Sequence, residues 1–385
     1  MDATRVFIVD KPATQIGSNG ANDADAPGIL ERLIRQAETS GASDIHLQMR
    51  GSSAEVSFRL DGVINRISEL PEKIAPLVFG RIKFLARLKT YQESLPQDGR
   101  IDKADAGSQN DIRVATYPTV TGEKIVLRLF NSSSAKSIRE LGMVADICKA
   151  LEAFLRQTSG MMLLTGPAGG GKTTTIYACL RELATTGGRQ IITVEDPVEQ
   201  IVPGVMQTEV NEALGLDFAK AARHLLRQDP QALVIGEVRD EETANIAVRA
   251  ALTGHLVIST LHAGSCRGVF ERLLVLCKDH AAVASSLELV LNQRLARTLC
   301  ASCAGKGCGE CLNTGYHGRA PIVEWWRMDE AVRKQIVLGD TAGICPQHSH
   351  LESARQLLET GLTNRAEVSR VLGIDVAEID ATPSP

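Results

Sequence analysis

Residues 161–174 read MMLLTGPAGGGKTT, and this stretch decides how the rest of the chain is interpreted. Its apolar start is typical of a buried strand, and the segment after Lys172 is compatible with a helix. Between them, GPAGGGKT matches the full pattern G-x-x-x-x-G-K-[ST]. Glycines let backbone N–H groups turn inward around a polyphosphate, and the start of the following helix adds a positive dipole end. The stretch predicts a P-loop that binds a nucleoside triphosphate; the alternative is a chance glycine-rich turn.

Within this loop, two residues receive individual roles. Lys172 is expected to reach the β- and γ-phosphates of ATP, and the Thr173 hydroxyl is expected to ligate Mg²⁺. The predicted nucleotide-binding residues are Gly166, Pro167, Ala168, Gly169, Gly170, Gly171, Lys172, Thr173 and Thr174.

Short apolar runs recur after the loop, at intervals that leave room for helices. Together with the run before the loop they span 161–165, 190–194, 232–235 and 256–259. Continuous apolar strands separated by helical segments are typical of a largely parallel sheet with helices on both faces. The predicted fold class of this part is α/β.

Two of these runs end in acidic residues. Glu195 and Asp196 follow one run, and Glu237 follows another, with Arg239 and Asp240 close behind. Ligands of open α/β sheets lie at the carboxyl ends of the strands, so both groups are expected to face the phosphate cradle. A carboxylate there can orient the attacking water or hold a Mg²⁺-bound water. Which glutamate has which role stays open, and loop solvation or helix capping is the alternative for each.

A histidine stands at each end of the last apolar segment, at His255 and His262. Either can sense the γ-phosphate or a subunit interface, although a lone histidine more often has a structural role. His262 is counted among the candidate catalytic residues.

Bulk properties narrow the function classes. The chain has 385 residues and a formal net charge of −4, which suits two or three domains and argues against nucleic-acid binding over the whole surface. No basic or aromatic platform for nucleic acid stands out, so no such partner is expected. No apolar run reaches the roughly 18 residues that span a bilayer, and the N-terminus has no signal-peptide core. These features predict a cytoplasmic chain that needs a partner for work at a membrane.

Upstream of the loop the pattern changes. The predicted helices span 29–39 and 73–88, and the predicted strands span 44–48, 54–60, 113–115 and 124–130, the last two joined by a loop that contains Pro118 and Gly122. This alternation predicts a small α+β domain.

The motifs occur in an order found in a known family. The segment 161–263 resembles the type II secretion and type IV pilus assembly ATPases, including the general secretory pathway protein E group. In that likeness, 166–173 corresponds to Walker A, 193–199 to the aspartate box, 233–240 to a Walker B variant with Gly236 in place of the usual aspartate, and 251–263 to the histidine box. Further similarity at 42–46, 58–62, 96–100, 315–319 and 361–368 extends the resemblance over roughly 28–373.

The resemblance implies a P-loop NTPase (RecA-like) motor domain preceded by a small PAS-like domain. The implied boundaries are a flexible leader over 1–27, the PAS-like domain over 28–131, a linker over 132–138, the ATPase domain over 139–373 with a zinc-binding element at 300–311, and a tail over 374–385. We also expect a compact form that lacks the additional N-terminal domain of many members.

The resemblance further implies hexameric rings in which arginines of the PAS-like domain reach the nucleotide. Arg100 and Arg113 match this role, with Arg128 as a third candidate; the alternative for each is a solvated or salt-bridged surface residue. A guanidinium suits the role because its fixed donor fork neutralises charge on phosphoryl oxygens. The implied partners are a polytopic inner-membrane platform protein and other cytoplasmic secretion or pilus components, which would place the chain at the periphery of the inner membrane.

Four of the nine cysteines form the pattern C-x₂-C-x₄-C-x₂-C. They are Cys300, Cys303, Cys308 and Cys311. Four thiolates satisfy tetrahedral Zn²⁺ and leave no open position, which indicates a structural site; iron–sulfur and redox roles are the alternatives. Assembly members of the family often carry such an element, whereas retraction members typically lack it.

The predicted function is therefore ATP hydrolysis that powers assembly of a type IV pilus or a type II secretion pseudopilus. The alternatives are a pilus-retraction or type IV secretion ATPase, and a non-hydrolysing nucleotide-dependent scaffold. The predicted catalytic residues are Glu195, Glu237, Lys172, Arg100, Arg113 and His262, and the predicted cofactors are ATP, Mg²⁺ and Zn²⁺.

Overall fold

The computed structural model describes residues 25–129 and 135–380, which divide into two compact units. The N-terminal unit contains 25–129 together with Cys300–Gly318, and the α/β unit contains 135–299 and 319–380. Most of the predicted leader, residues 132–134 of the predicted linker and the last five residues of the predicted tail lie outside the described residues.

The N-terminal unit is built on one antiparallel sheet. Its elements are α1 (Ala26–Thr39), β1 (Asp44–Arg50), β2 (Ser53–Leu60), β3 (Val63–Leu70), α2 (Ala75–Leu85), β4 (Gln97–Ile101), α3 (Lys103–Ala106), β5 (Ile112–Thr119) and β6 (Gly122–Leu129). The six strands lie in the order β3-β2-β1-β6-β5-β4, and every neighbouring pair is antiparallel. Helices α1 and α2 contribute apolar residues to the same buried cluster as the inner faces of the strands.

Several sequence-based boundaries of this unit need correction. Helix α1 begins inside the stretch predicted as leader, because Asp25 caps it by accepting a hydrogen bond from the Gly28 amide. Pro118 and Gly122 belong to the paired strands β5 and β6 rather than to a loop between them. Strands β3 and β4 were not predicted. Both are edge strands with few buried side chains, so their apolar pattern is weak.

The α/β unit has a second sheet with helices on both faces. Its elements are a 3-10 helix (Ile138–Leu141), α4 (Ala145–Leu155), β7 (Gly160–Thr165), α5 (Lys172–Thr186), β8 (Ile191–Glu195), β9 (Val205–Glu209), a 3-10 helix (Glu212–Leu214), α6 (Phe218–Leu225), β10 (Ala232–Ile235), α7 (Glu241–Leu252), β11 (Leu256–Thr260), α8 (Cys266–Leu276), α9 (His280–Ser286), β12 (Leu287–Leu299), β13 (Tyr316–Arg327), α10 (Glu330–Leu338), α11 (His350–Glu359), α12 (Arg365–Leu372) and α13 (Val376–Asp380). The strand order is β13-β12-β7-β11-β10-β8-β9.

Strand β7 shows why this sheet is covered on both faces. Every residue of β7 is buried; Met161 and Leu163 join one apolar cluster, while Met162 and Leu164 join another. Because successive side chains of a strand point to opposite faces, the two clusters lie on the two sides of the sheet. The predicted parallel sheet with helices on both faces is confirmed.

The predicted site residues lie at one edge of the sheet, because most of its strands run in the same direction. Each neighbouring pair in the order β12-β7-β11-β10-β8-β9 is parallel, so the carboxyl ends of these six strands meet at the same edge. Strand β11 lies between β7 and β10. Within 25–129 and 135–380, no helix combines the length and the apolar character needed to cross a bilayer.

Candidate active site

The glycine-rich loop joins β7 to α5 at this edge. Gly166, Gly169 and Gly171 have φ angles of 131°, 71° and 88°, in the region that favours glycine. Lys172 begins α5, and its Nζ donates to the carbonyl oxygens of Gly166 at 2.8 Å and Pro167 at 2.9 Å. The ammonium group is thereby held against the backbone of the loop.

The surroundings of Lys172 shift the pKa of its ammonium group. Burial lowers the pKa of Lys172, and the charge of Glu237 opposes that shift. Thr173 is exposed and Thr174 half-buried in the first turn of α5, where backbone N–H groups have no partner within the helix. An anion at this turn would meet an ammonium group, free amides and a hydroxyl.

Glu237 forms a small polar cluster just after β10. Its Oε2 accepts from Arg239 Nε at 2.6 Å, and its Oε1 lies 2.6 Å from His262 Nε2. Arg239 also reaches Asp196, with 3.4 Å between Nη2 and Oδ2. The Glu237 side chain is 16% exposed, so this carboxylate stays accessible to solvent and to a substrate. The structure thus brings together Glu237, His262 and the end of β8.

Two hydroxyls align the strands that carry this cluster. Thr260 Oγ1 donates to the Gly236 carbonyl at 2.7 Å, and Ser259 Oγ donates to the Ile235 carbonyl at 2.6 Å. These bonds tie the last residues of β11 to the last residues of β10. They therefore set the separation of Glu237 and His262.

Glycine at position 236 has a packing reason. A Cβ atom there would lie 3.1 Å from Phe218 Cε1 and 3.2 Å from the Val194 carbonyl oxygen. The same Phe218 ring carries the Arg239 guanidinium, 5.2 Å above its centroid. A side chain at this position would thus press on the Phe218 ring that Arg239 contacts.

Glu195 occupies a different environment from Glu237. It is 8% exposed and accepts hydrogen bonds from Tyr177 and Thr193, each at 2.5 Å, and from Gln207 at 3.0 Å. The Tyr177 hydroxyl in turn accepts from the Glu199 amide at 3.0 Å. Burial and the bond to Glu195 raise the pKa of Tyr177 to about 12. The Glu195 carboxylate thus accepts hydrogen bonds from three side chains in the interior of the α/β unit.

The two histidines have different partners. His255 precedes β11, and its Nδ1 lies 3.0 Å from the Ala250 carbonyl oxygen and 3.3 Å from Thr253 Oγ1. These contacts fasten the turn after α7. Only His262, beyond the other end of β11, belongs to the polar cluster at the carboxyl edge.

The three candidate arginines belong to the N-terminal unit and form a row across its sheet. Arg100 on β4 is paired with Arg113 on β5, and Arg113 is paired with Arg128 on β6. Arg100 forms an ion pair with Asp111, and Arg128 Nε donates to Asp44 at 2.9 Å. The three arginines thus lie side by side, and two of them have carboxylate partners within the unit.

The four predicted metal-ligating cysteines lie together in the N-terminal unit. Their ligand atoms all lie within 4.8 Å of one another. The Sγ atoms of Cys300 and Cys308 are 3.8 Å apart, as are those of Cys303 and Cys311. Four sulfurs at about 2.3 Å from a common centre would be about 3.8 Å apart, so the two separations of 3.8 Å match those of a tetrahedral Zn²⁺ site.

Backbone amides also favour the thiolate form in this cluster. The amides of Cys308 and Gly315 donate to Cys311 Sγ at 3.2 and 3.3 Å. Burial raises the pKa of Cys311, but these amides and the neighbouring thiols outweigh it and lower the pKa to about 6. The segment is fastened to its unit by a hydrogen bond of 2.9 Å from the Gly318 amide to Asp61 Oδ2.

Sequence patterns missed two residues that shape the site. Tyr177 donates a hydrogen bond to Glu195. In the sequence it resembles an ordinary core residue of α5, and only its hydroxyl group indicated a polar role. Gln293 on β12 lies against three glycines of the loop, yet it stands between the polar residues Asn292 and Arg294, so nothing in the local sequence marked it. Both contacts are long-range and could not be located without the fold.

Comparison with known proteins identifies the family of the chain. The family described as Type II/IV secretion system protein matches residues 21–372. Type II secretion system protein E of Pseudomonas aeruginosa is 37% identical over 393 residues, covering 94% of this chain and 78% of the relative. Type IV pilus assembly ATPase TfpB of Acinetobacter baylyi is 37% identical over 401 residues, covering 93% of this chain and 68% of the relative.

Solved structures show the same fold. The pilus retraction motor PilT with bound ADP is 25% identical, with a TM-score of 0.60 over 91% of this chain and 98% of its own. The Legionella pneumophila ATPase DotB is 20% identical, with a TM-score of 0.69 over 94% of this chain and 97% of its own. This chain has the α/β fold of these ATPases, and with 352 of its residues matched (21–372) it belongs to the Type II/IV secretion system protein family.

Proposed function

We propose that this chain hydrolyses ATP to power assembly of a type IV pilus or a type II secretion pseudopilus. The observation that carries the proposal is that the glycine-rich loop, with Lys172, follows β7 at the same edge of the sheet at which Glu237 lies 2.6 Å from His262. Relatives named for type II secretion and for pilus assembly, 37% identical over most of the chain, support the cellular role.

The loop and the first turn of α5 are proposed to bind the nucleotide. Backbone N–H groups of residues 168–174 would surround the phosphates, and Lys172 would exchange its two carbonyl partners for phosphate oxygens. Thr173, exposed in the first turn, offers a hydroxyl oxygen to Mg²⁺. Bound there, Mg²⁺ would neutralise part of the phosphate charge.

Glu237 is proposed to orient the attacking water and to accept its proton. The water oxygen attacks the γ-phosphorus, the bond to the bridging oxygen breaks, and ADP and phosphate leave. His262 and Arg239 hold the Glu237 carboxylate from two sides. Glu195 would act one step further away, by positioning α5 against β8 through Tyr177.

Arg100 and Arg113 are proposed to reach a nucleotide within a hexameric ring, with Arg128 as a third candidate. Their row on one sheet face supports a role with anions. The proposed domains are a PAS-like domain over 28–131 and a RecA-like ATPase domain over 139–373, joined by 132–138. The cysteine segment, placed within the second range by sequence, is grouped with the N-terminal unit in the structure.

The cysteine cluster is proposed to hold structural Zn²⁺, and the ring is proposed to act at the inner membrane through a polytopic platform protein. The second candidate is a pilus-retraction role, which the likeness to PilT favours, or a type IV secretion role. Deleting the gene in its source organism distinguishes these roles. Loss of surface fibres or of secretion supports assembly, whereas accumulation of fibres supports retraction.

The chemistry is tested with two variants and two controls. Lys172→Ala is expected to abolish ATP turnover, and Glu237→Gln is expected to stop hydrolysis while leaving nucleotide binding largely intact. Lys149→Ala on α4 and Glu212→Gln in the second 3-10 helix remove the same charges from exposed positions and should keep parental turnover. Turnover at the parental rate by Glu237→Gln would contradict its role, and a chain that binds no Mg-ATP would refute the ATPase function.

A further inference from the structure

Gln293 meets the glycine-rich loop at three positions. Strand β12 runs parallel to β7 with Asn292 opposite Thr165, which places Gln293 beside the start of the loop. A Cβ atom would lie 2.1 Å from the Gln293 carbonyl oxygen if added at Gly166, and 2.7 Å from it if added at Gly170. The loop therefore packs directly on the backbone of β12, and glycine is required there for this contact as well as for any phosphate.

The side chain of Gln293 continues the contact into α5. Gln293 is 3% exposed, and its Nε2 would lie 2.5 Å from a Cβ atom at Gly171. Its Oε1 accepts a hydrogen bond of 2.8 Å from the Thr175 hydroxyl, which is fully buried. One residue thus contacts both the loop and the first turn of the helix that follows it.

Strand β12 is itself fixed on the side of the C-terminal helices. Arg294 Nη1 donates to the Val371 carbonyl at 2.9 Å, and Arg297 Nη2 lies 2.7 Å from Glu367 Oε2. A support that is anchored by its own partners can hold a neighbouring loop in one conformation. A loop with glycine at four of its first six positions loses much conformational entropy when it is ordered, so such a support has a direct effect on binding.

We propose that Gln293 is a positioning residue for the nucleotide: through its carbonyl oxygen and its bond to Thr175, it holds the glycine-rich loop and the start of α5 in the conformation that binds phosphate. This inference rests on the proposed ATPase function. Gln293 touches neither the substrate nor the reacting atoms, and it acts through the loop.

The test breaks the bond from each side. Gln293→Met keeps the length of the side chain and removes the acceptor, while Thr175→Val keeps the shape and removes the donor. Ser57→Ala is the control, because the buried Ser57 hydroxyl donates to Glu55 Oε1 at 3.3 Å in the N-terminal unit and contacts neither β12 nor its anchors. Each protein is measured for its affinity for Mg-ADP, its melting temperature and the hydrogen exchange of amides 166–175.

Each bond-breaking variant should bind Mg-ADP about three- to ten-fold more weakly, as loss of one neutral hydrogen bond implies. Exchange of the loop amides should quicken in the nucleotide-free protein, and the double variant should be no weaker than the weaker single variant. The control variant should lower only the melting temperature. Its affinity for Mg-ADP and the hydrogen exchange of its loop amides should stay at the parental values. If Gln293→Met does not fold, Thr175→Val tests the same bond.

The positioning role of Gln293 and the ATPase function can be refuted separately. Parental affinity together with unchanged loop exchange in the variants would overturn the positioning role while leaving the ATPase function standing. A parental chain without affinity for Mg-ADP or Mg-ATP would refute the ATPase function. In that case faster loop exchange in Gln293→Met would still show that Gln293 orders the loop, and unchanged exchange would refute this too.

Discussion

His262 Nε2 lies 2.6 Å from Glu237 Oε1, although 24 positions separate the two residues in the chain. Each residue follows the carboxyl end of its own strand, and β10 and β11 are parallel neighbours. The pair is therefore a consequence of sheet order rather than of local sequence. It places an imidazole, 73% exposed, against the carboxylate proposed to orient water.

His262→Ala is expected to lower kcat about 10- to 100-fold, because the Glu237 carboxylate loses a hydrogen-bond partner that fixes its direction. The measurement is steady-state ATP turnover with Mg-ATP affinity determined separately. His224→Ala, on the exposed face of α6, removes a histidine from a position away from this edge and should keep parental turnover. Equal kcat for His262→Ala and the parental chain would remove His262 from the proposed machinery.

Tyr177→Phe is expected to lower the free energy of unfolding by about 1–3 kcal/mol. The hydroxyl donates to the buried Glu195 carboxylate and accepts from the amides of Glu199 and Gln200, so its removal leaves buried polar groups without this partner. Urea denaturation measures the change. Tyr91→Phe, at a position 83% exposed, is the control and should be neutral. Unchanged stability of Tyr177→Phe would show that this network does not hold Glu195.

Cys303→Ser is expected to abolish stoichiometric zinc in protein purified without added metal, whereas the parental chain should carry one zinc per chain. Three thiolates and a hydroxyl bind the ion less tightly than four thiolates do. Metal analysis and thermal unfolding provide the readouts, with Cys345→Ser as the control because Cys345 is exposed and lies outside the cluster. A parental chain with little zinc, and unchanged unfolding of Cys303→Ser, would contradict a structural zinc site.

Glu367 is expected to make stability depend on acid pH. Burial raises its pKa, but hydrogen bonds from Arg370 and Arg297 outweigh burial and lower the pKa to about 2. A carboxyl group whose folded-state pKa is lowered stabilises the fold above its unfolded value, near 4.3, and this contribution disappears as the pH falls toward 2. Its full size is about 3 kcal/mol at neutral pH.

Glu367→Gln therefore should destabilise the chain most at pH 6–7 and much less near pH 3, as measured by urea denaturation across this range. Glu359→Gln, at an exposed position of α11, should cause no comparable change. A destabilisation by Glu367→Gln that is the same at every pH would show that charge is not the cause.

Much of the α/β unit was accessible to sequence reasoning because its signals are local. The apolar run of β7, the glycine pattern and the start of α5 are contiguous, so residues 161–174 predict strand, loop and helix together. Edge strands β3 and β4 escaped prediction because few of their side chains are fully buried, so the strands carry little apolar periodicity. Apolar and polar residues alternate along a strand because one face of the strand is buried. Edge strands bury fewer side chains, so their sequences alternate less clearly.

The amino-acid sequence alone determined the chemistry on offer: an ammonium group behind a glycine-rich loop, acids at strand ends, and four thiols at metal-binding spacing. Only the tertiary structure decided which of these groups meet. It turned Glu195 inward to Tyr177, left Glu237 accessible beside His262, and set the loop on Gln293. The physical reason is that strand order and packing set distances between residues far apart in the chain, and no local pattern encodes such distances.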